Sequence, residues 1–298
     1  MNNPHEKNVR SEIDVPIFKI AGVVVLYNPE SDVAGNINSY VHQVNKLYII
    51  DNSESDNSDL IDKIKGKSIE YVWNGSNKGI AYGLNVGAKK AVAEGFEILL
   101  TMDQDSHFML SELNRLFQSL QLFTVVNQIG IISPYHENRR IRMGEPEFEN
   151  SKLTMTSGNL LNLAAYVQIG EFNEKLFIDY VDHEYCLRLR KGGYKILQAT
   201  KVTMHHNLGN SVSINFLGRS IVSSNHAPVR RYYMTRNRFY TISRFGLFDP
   251  ALAIRELFRH ITETLKIILI EMNKWEKLRM SFLGFFDFIR GRYGKYNS

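Results

Sequence analysis

The chain has 298 residues, 44% hydrophobic and 22% charged, which suits one large α/β core or two small ones and excludes a disordered tail or a collagen-like repeat. Its one cysteine, Cys186, excludes a disulfide framework and cysteine-ligated zinc or iron–sulfur sites. The net charge of +5 is unevenly spread: residues 226–298 hold 14 Lys and Arg against 6 Asp and Glu, and residues 1–225 hold 22 against 25. The basic segment also holds 14 of the 34 aromatic residues. That combination predicts an anionic surface as its partner, and the acidic remainder argues against a nucleic-acid binder. The first residues, Met1-Asn2-Asn3-Pro4-His5-Glu6-Lys7, lack a signal-peptide pattern, and no apolar run reaches the roughly 18 residues that cross a bilayer. A cytoplasmic location is expected.

Strands and helices alternate from the start. Ile20 to Tyr27 is β-branched and stops at Asn28-Pro29, a buried strand closed by a turn. A helical stretch near 32–44 leads to strand 46–50, which closes on Asp51-Asn52-Ser53. A helix near 55–65 precedes strand 68–73, which ends at Asn74-Gly75, and a helix at 79–94 precedes strand 97–102, which ends at Asp103-Gln104-Asp105. This alternation predicts a mostly parallel sheet flanked by helices, with ligands at the carboxyl ends of the strands, where Asn, Asp and Ser collect. A helix near 110–124 and a strand at 128–134 follow, then a polar loop or hairpin over 136–150. A strand and turn at 152–158 lead to a helix from Asn159. A helix at 181–191 stops at Gly192-Gly193, a strand runs over 195–204, and the chain reads as helical from Pro228. In that last part Ile254, Leu257, Phe258, Ile261, Leu265, Ile268 and Leu269 recur at near-helical spacing.

Four constellations carry oxygen-rich or cationic chemistry. Asp103 and Asp105 at a strand end suit a hard cation such as Mg²⁺ or Mn²⁺, or else cap the helix near 110. Asp51 is placed to accept the N3–H of a pyrimidine base, or caps a helix. Asn77-Lys78-Gly79 opens a helix whose N-terminus, with Lys78, suits a diphosphate, although it matches neither a dinucleotide fingerprint nor a phosphate loop. Asp182, in the first turn of its helix, serves as general base toward a sugar hydroxyl or only stabilises that helix; Glu184, two residues on, points elsewhere. His205 and His206 face opposite ways on an extended segment, so at most one reaches a metal, and a structural hydrogen bond is the simpler role. The Arg230-Arg231-Tyr232-Tyr233 to Arg236-Asn237-Arg238 cluster pairs with phosphates or forms a solvated helix face.

Taken in order, these residues resemble the inverting family two glycosyltransferases of the GT-A (Rossmann-like) fold, in particular the bacterial rhamnosyltransferase branch. The resemblance covers about residues 20–240. It rests on Val-Val-Leu-Tyr-Asn-Pro at 24–29, Ile-Ile-Asp-Asn-Ser at 49–53, Asn77-Lys78-Gly79-Ile80-Ala81 with Asn85 and Gly87, and Met102-Asp103-Gln104-Asp105-Ser106. It continues through Ser157-Gly158-Asn159, Phe177 to Arg188, His206-x-Leu208-Gly209-x-Ser211 and Tyr232-Tyr233-x-x-Arg236-Asn237.

The resemblance implies a GT-A domain over 15–225 and a basic, aromatic-rich helical extension over 226–298. Tyr27 and Asp51 would line the base pocket. Asp103 and Asp105 would hold the divalent metal on the donor diphosphate, Asp105 the closer, with His206 completing the site. Asp182 matches the second residue of the family's acidic pair and would be the catalytic base; Val181 replaces the first. The Gln-x-x-Arg-Trp signature of processive synthases is absent, which implies one sugar per encounter. The implied reaction moves L-rhamnose from dTDP-rhamnose to a lipid-linked saccharide in bacterial surface polysaccharide synthesis. The alternatives are a UDP-hexose or UDP-N-acetylhexosamine donor on the same fold, and a non-catalytic GT-A-like binding module, against which the three carboxylates speak. For the basic extension, peripheral membrane contact and ordinary packing with a solvated basic face stay equally open.

Overall fold

Strand β1 (Ile20–Leu26) is buried along its whole length, as a β-branched run must be when both of its faces are covered. The structure is a computed structural model that describes residues 18–126, 128–136, 144–206, 212–216 and 219–296, the side chains of 206–222 excepted. Around β1 run β2 (Lys46–Asp51), β3 (Ile69–Trp73) and β4 (Ile98–Asp103), all parallel to it in the order β3-β2-β1-β4. Their carboxyl ends therefore share one edge. Helix α1 (Val33–Asn38) follows β1, and α2 (Ile80–Ala93) crosses from β3 to β4. Gly83 and Gly87 let α2 lie on β1: a Cβ at either would come within 2.7 Å of Val25 or 2.3 Å of Val23.

Beyond β4 lie β5 (Ser106–His107), α3 (Leu110–Gln118), α4 (Leu122–Val125), β6 (Ile129–Tyr135), β7 (Phe148–Asn150), β8 (Asn159–Asn162) and α5 (Leu163–Ile169). Helix α6 (Val181–Lys191), β9 (Lys195–Thr203), β10 (His205–His206), β11 (Val212–Phe216) and β12 (Arg219–Ser223) follow. The sheet continues from β4 as β8-β6-β9-β7, eight strands in all, with β8 and β7 antiparallel to their neighbours. Side-chain alternation divides the core into two layers. Val24, Leu26, Ile49 and Leu100 pack with α1 and α3 on one face, and Val23, Tyr48, Ile50 and Leu99 pack with α2, α5 and α6 on the other.

Four local expectations are corrected. The strand expected within 152–158 is irregular chain ending in a turn, and the other three concern helices. The helix expected from Asn159 is strand β8; Leu160 and Leu161 are buried inside the sheet, and the helix begins only where Asn162 Oδ1 caps the amides of Ala164 and Ala165. The helix expected near 32–44 shortens to α1 and a 3₁₀ turn at Val41–Gln43, because Ser39 Oγ donates back to the Asn36 carbonyl and its amide also turns back. The helix expected near 55–65 is a 3₁₀ segment, Ser58–Lys63, preceded by the Asp56 carboxylate accepting from the Ser58 amide.

Three helices close the chain: α7 (Pro228–Phe245), α8 (Pro250–Leu269) and α9 (Lys274–Ile289). Their mutual interface joins aromatic packing, Phe239 of α7 against Phe285 and Phe288 of α9, to buried ion pairs. Arg238 of α7 reaches Glu256 at 3.4 Å and Glu263 at 2.7 Å, Arg231 pairs with Glu271, and Lys277 meets Glu271 at 2.8 Å. Arg231, Arg236 and Arg238 are all buried, so both sequence readings of this cluster fail for them. Only Arg230 among the four is exposed.

Candidate active site

The polar strand ends are knitted together by hydrogen bonds. The Gln104 side chain accepts from the Tyr27 amide at 2.8 Å and donates to the Tyr27 carbonyl at 3.2 Å, joining the loops after β1 and β4. The Asn28 amide donates to Ser53 Oγ at 2.8 Å, and Asn52 Nδ2 donates to the Gly79 carbonyl at 3.0 Å. Tyr27 itself is exposed at the mouth of this edge. Asp51 is fully buried: its carboxylate accepts from the Ser53 amide, Asn57 Nδ2 and Tyr71 Oη at 2.8, 2.8 and 2.7 Å. It organises the strand end and caps no helix.

Gly79 stands at φ +90°, and a Cβ there would come within 2.6 Å of the Phe177 carbonyl. That carbonyl accepts from the Ile80 amide at 2.9 Å, while Asn77 Oδ1 accepts from the Gly79 amide at 3.0 Å. The first turn of α2 is thus locked to the loop before α6. Asn77 and Lys78 line a cavity of about 350 Å³ together with Tyr82, Glu174 and Lys295.

Asp103, Asp105 and Asp182 come together. Burial first, and then the charges of Asp105 and Asp182, push the Asp103 carboxyl up to about 7 against the pull of Arg230. The Asp103 amide donates to Ser157 Oγ at 3.0 Å. Neither aspartate of the pair caps α3, whose N-cap is Met109 with no side-chain bond. His206 in β10 pairs through its backbone with Ser106, next to Asp105; its side chain lies outside the described part of the structure. Among the described residues, no three His, Cys, Asp or Glu side chains form a group that could hold a metal ion.

Asp182 lies in the first turn of α6, where one of its oxygens accepts from the His183 amide at 2.7 Å. Glu184 faces away, buried against Arg188 at 3.0 Å. The loop leading to α6 is unusual: Phe177, Asp179 and Tyr180 all hold φ near +60° (64°, 61° and 65°), a cost of about 1–3 kcal/mol each for a side chain of this kind. Asn237 offsets it. Fully buried on α7, its Nδ2 donates to the Leu176, Ile178 and Asp179 carbonyls at 2.8, 2.7 and 3.0 Å. Arg236 adds bonds to the Lys175 and Leu176 carbonyls at 3.3 and 3.2 Å.

Sequence reasoning gave no role to Asp179 or Ser157, and read Arg230 only as part of a cluster that pairs with phosphates or forms a solvated helix face. Asp179 pairs with Arg230 at 3.1 Å, and burial raises its carboxyl, the Arg230 charge opposing and the Asp182 charge adding. Arg230 is thus the cation that faces the carboxylate cluster. The signal available was the Arg-rich start of α7, but nothing local says which of its arginines turns outward.

The glycosyl transferase family 2 model matches residues 23–173, which include every strand-end residue described here. The dTDP-rhamnosyl transferase RfbF of Shigella flexneri is 29% identical over 94% of this chain and 99% of its own length. Among solved structures, S. aureus TarS 1–349 in complex with UDP-GlcNAc superposes with a TM-score of 0.61 at 14% identity, over 92% of this chain and 82% of its own. GalNAc-T7 with UDP, GalNAc and Mn²⁺ gives 0.51 at 13% identity, over 63% and 43%. These likenesses show the GT-A fold. The family model spans half of the chain, and the chain belongs to glycosyl transferase family 2: it is a glycosyltransferase.

Proposed function

We propose that this glycosyltransferase is metal-dependent and inverting, and that it moves one L-rhamnose from dTDP-rhamnose to a saccharide on a lipid carrier in bacterial surface polysaccharide synthesis. The observation that carries the catalytic part is the Asp103 carboxyl, raised by burial first and then by the charges of Asp105 and Asp182, so that the end of β4 and the start of α6 lie within electrostatic reach. The donor assignment rests on the nearly full-length similarity to a dTDP-rhamnosyl transferase.

A divalent cation fits this cluster, because it offsets the charge that otherwise holds a proton on Asp103. Asp103 and Asp105 would hold Mg²⁺ or Mn²⁺, His206 is the third candidate ligand, and oxygens of the donor diphosphate would complete the shell. When bound, the cation neutralises charge developing on the leaving diphosphate. Tyr27, exposed at the mouth of the edge, would meet the thymine base, and Asp51, buried beneath with its carboxylate taken by Ser53, Asn57 and Tyr71, would shape the base pocket. Asn77, Lys78 and the amide end of α2 at Gly79 would face phosphate. Asp182 would take the proton of the acceptor hydroxyl as its oxygen bonds to the anomeric carbon and the bond to the diphosphate breaks on the opposite face. Arg230, held by Asp179, would oppose the proton on Asp103.

The test is a panel of nucleotide sugars screened by thermal shift with Mg²⁺ or Mn²⁺, then assayed for transfer. Stabilisation and turnover with dTDP-rhamnose support the reading. Stabilisation by UDP-hexoses alone would move the donor assignment, and binding without turnover would favour an inert module.

A further inference from the structure

Helix α8 is built inside out. Its inward line is buried Leu252, Glu256 and Ile267 with half-buried His260 and Glu263, in which the two glutamates and the histidine meet Arg238. Roughly 160° around the helix, at 100° per residue, lie Ile254, Leu257, Phe258, Ile261, Leu265 and Ile268. All six are exposed, Ile254 at 69% and Phe258 at 66%. Helix α9 packs Met280, Phe285 and Phe288 inward with Lys277, yet it too leaves apolar side chains outside: Trp275, Phe282 and Ile289, each seven residues from the next, are 86%, 61% and 61% exposed. An ordinary surface helix turns its apolar stripe to the core. On α8 the middle of the core side is ionic, between buried Leu252 and Ile267, and the solvent side is apolar.

Charge sorting identifies the occupant. Of the six acids in residues 226–298, Asp249, Glu256 and Glu271 are buried, Glu263 is ion-paired to Arg238, Asp287 accepts from Tyr232 Oη at 2.8 Å, and Glu276 is exposed. Arg244, Arg255, Lys274, Arg279, Arg290 and Arg292 are exposed. The outer surface of these helices is therefore apolar and basic at once, which complements an anionic lipid bilayer better than a second copy of the same basic face. No helix among the described residues is long and apolar enough to cross a membrane. We infer that α8 and α9 dock on an anionic bilayer surface, α8 lying in the interface with its apolar stripe between the lipid headgroups and its bases at phosphate level. Docking needs neither donor nor acceptor, so its failure leaves the transferase reading standing.

The experiment is flotation of the full chain with vesicles of phosphatidylcholine alone or mixed with phosphatidylglycerol. At least about tenfold more protein should bind the anionic vesicles, and salt should reduce it. Ile261→Glu with Leu265→Glu should lower binding about tenfold or more with an unchanged thermal midpoint, since both side chains face outward. Arg255→Glu with Lys274→Glu should remove the anionic preference. Equal binding to both vesicles, or none, overturns the proposal. So does a dimer in sedimentation that Ile261→Glu dissociates without any vesicle binding.

Discussion

The charge of Asp182, at the start of α6, raises the proton affinity of Asp103, at the end of β4. Two elements distant in sequence therefore deliver carboxylates to one place, and that proximity is what the proposed chemistry needs. The predictions below follow from how the fold brings it about.

The Asp103 carboxyl stands at about 7 rather than its ordinary 3.8. The folded chain without metal thus holds a proton that the unfolded chain releases. Stability from this group is full below the ordinary carboxylate range and is lost as pH rises through about 7. Cation binding has the opposite sign: the proton competes, so apparent affinity for Mn²⁺ should rise about tenfold per pH unit up to about 7 and then level off. Thermal melts across this range, with and without Mn²⁺, check both signs.

Asn237 Nδ2 serves three carbonyls of a loop whose left-handed residues are held against their preference. Asn237→Ala and Asn237→Asp should each destabilise by about 1–3 kcal/mol, since either leaves buried carbonyls without their donor. Turnover should fall more than donor affinity, because the loop sets the start of α6 and hence Asp182. Denaturant melts alongside kinetics separate the two effects.

Gly79→Ala places a methyl group against the Phe177 carbonyl in a backbone conformation that disfavours it. A loss of about 1–3 kcal/mol is expected, with weaker donor binding as the α2 terminus shifts. Calorimetric titration with the nucleoside diphosphate alone reads the second effect.

Arg238→Met removes the cation between Glu256 and Glu263. Glu263 keeps Arg259 at 2.9 Å, but leaving buried Glu256 uncompensated should cost about 3–5 kcal/mol at neutral pH, and acidification, which neutralises it, should recover part of that. Thermal midpoints at neutral and acidic pH test this.

Much of this architecture is legible in sequence, for physical reasons. Fully buried strands such as β1 and β2 write themselves as β-branched runs, and the polar residues that stop them mark the sheet edge where the site lies. The acids of the site are legible by chemistry: Asp103 and Asp105 stand at a strand end and Asp182 in a first helical turn. Strand β8 is not legible, because Asn159 to Asn162 is too short and apolar for either period to show, and only its insertion between β4 and β6 decides it. The arginines of α7 mislead for a similar reason. Their burial depends on glutamates in α8 and the α8–α9 turn that are distant in sequence, so a local reading sees only a basic helix.

The central claim is that Asp182 takes the acceptor proton while the other aspartates serve the donor, and Asp182→Asn tests it most directly. Transfer from dTDP-rhamnose and donor affinity with Mn²⁺ should be measured on the same protein. The account predicts a fall in transfer of about 10²–10⁴-fold with donor affinity nearly unchanged, and an Asp103 titration moved to lower pH because one neighbouring charge is gone. Turnover close to that of the unaltered chain would contradict it.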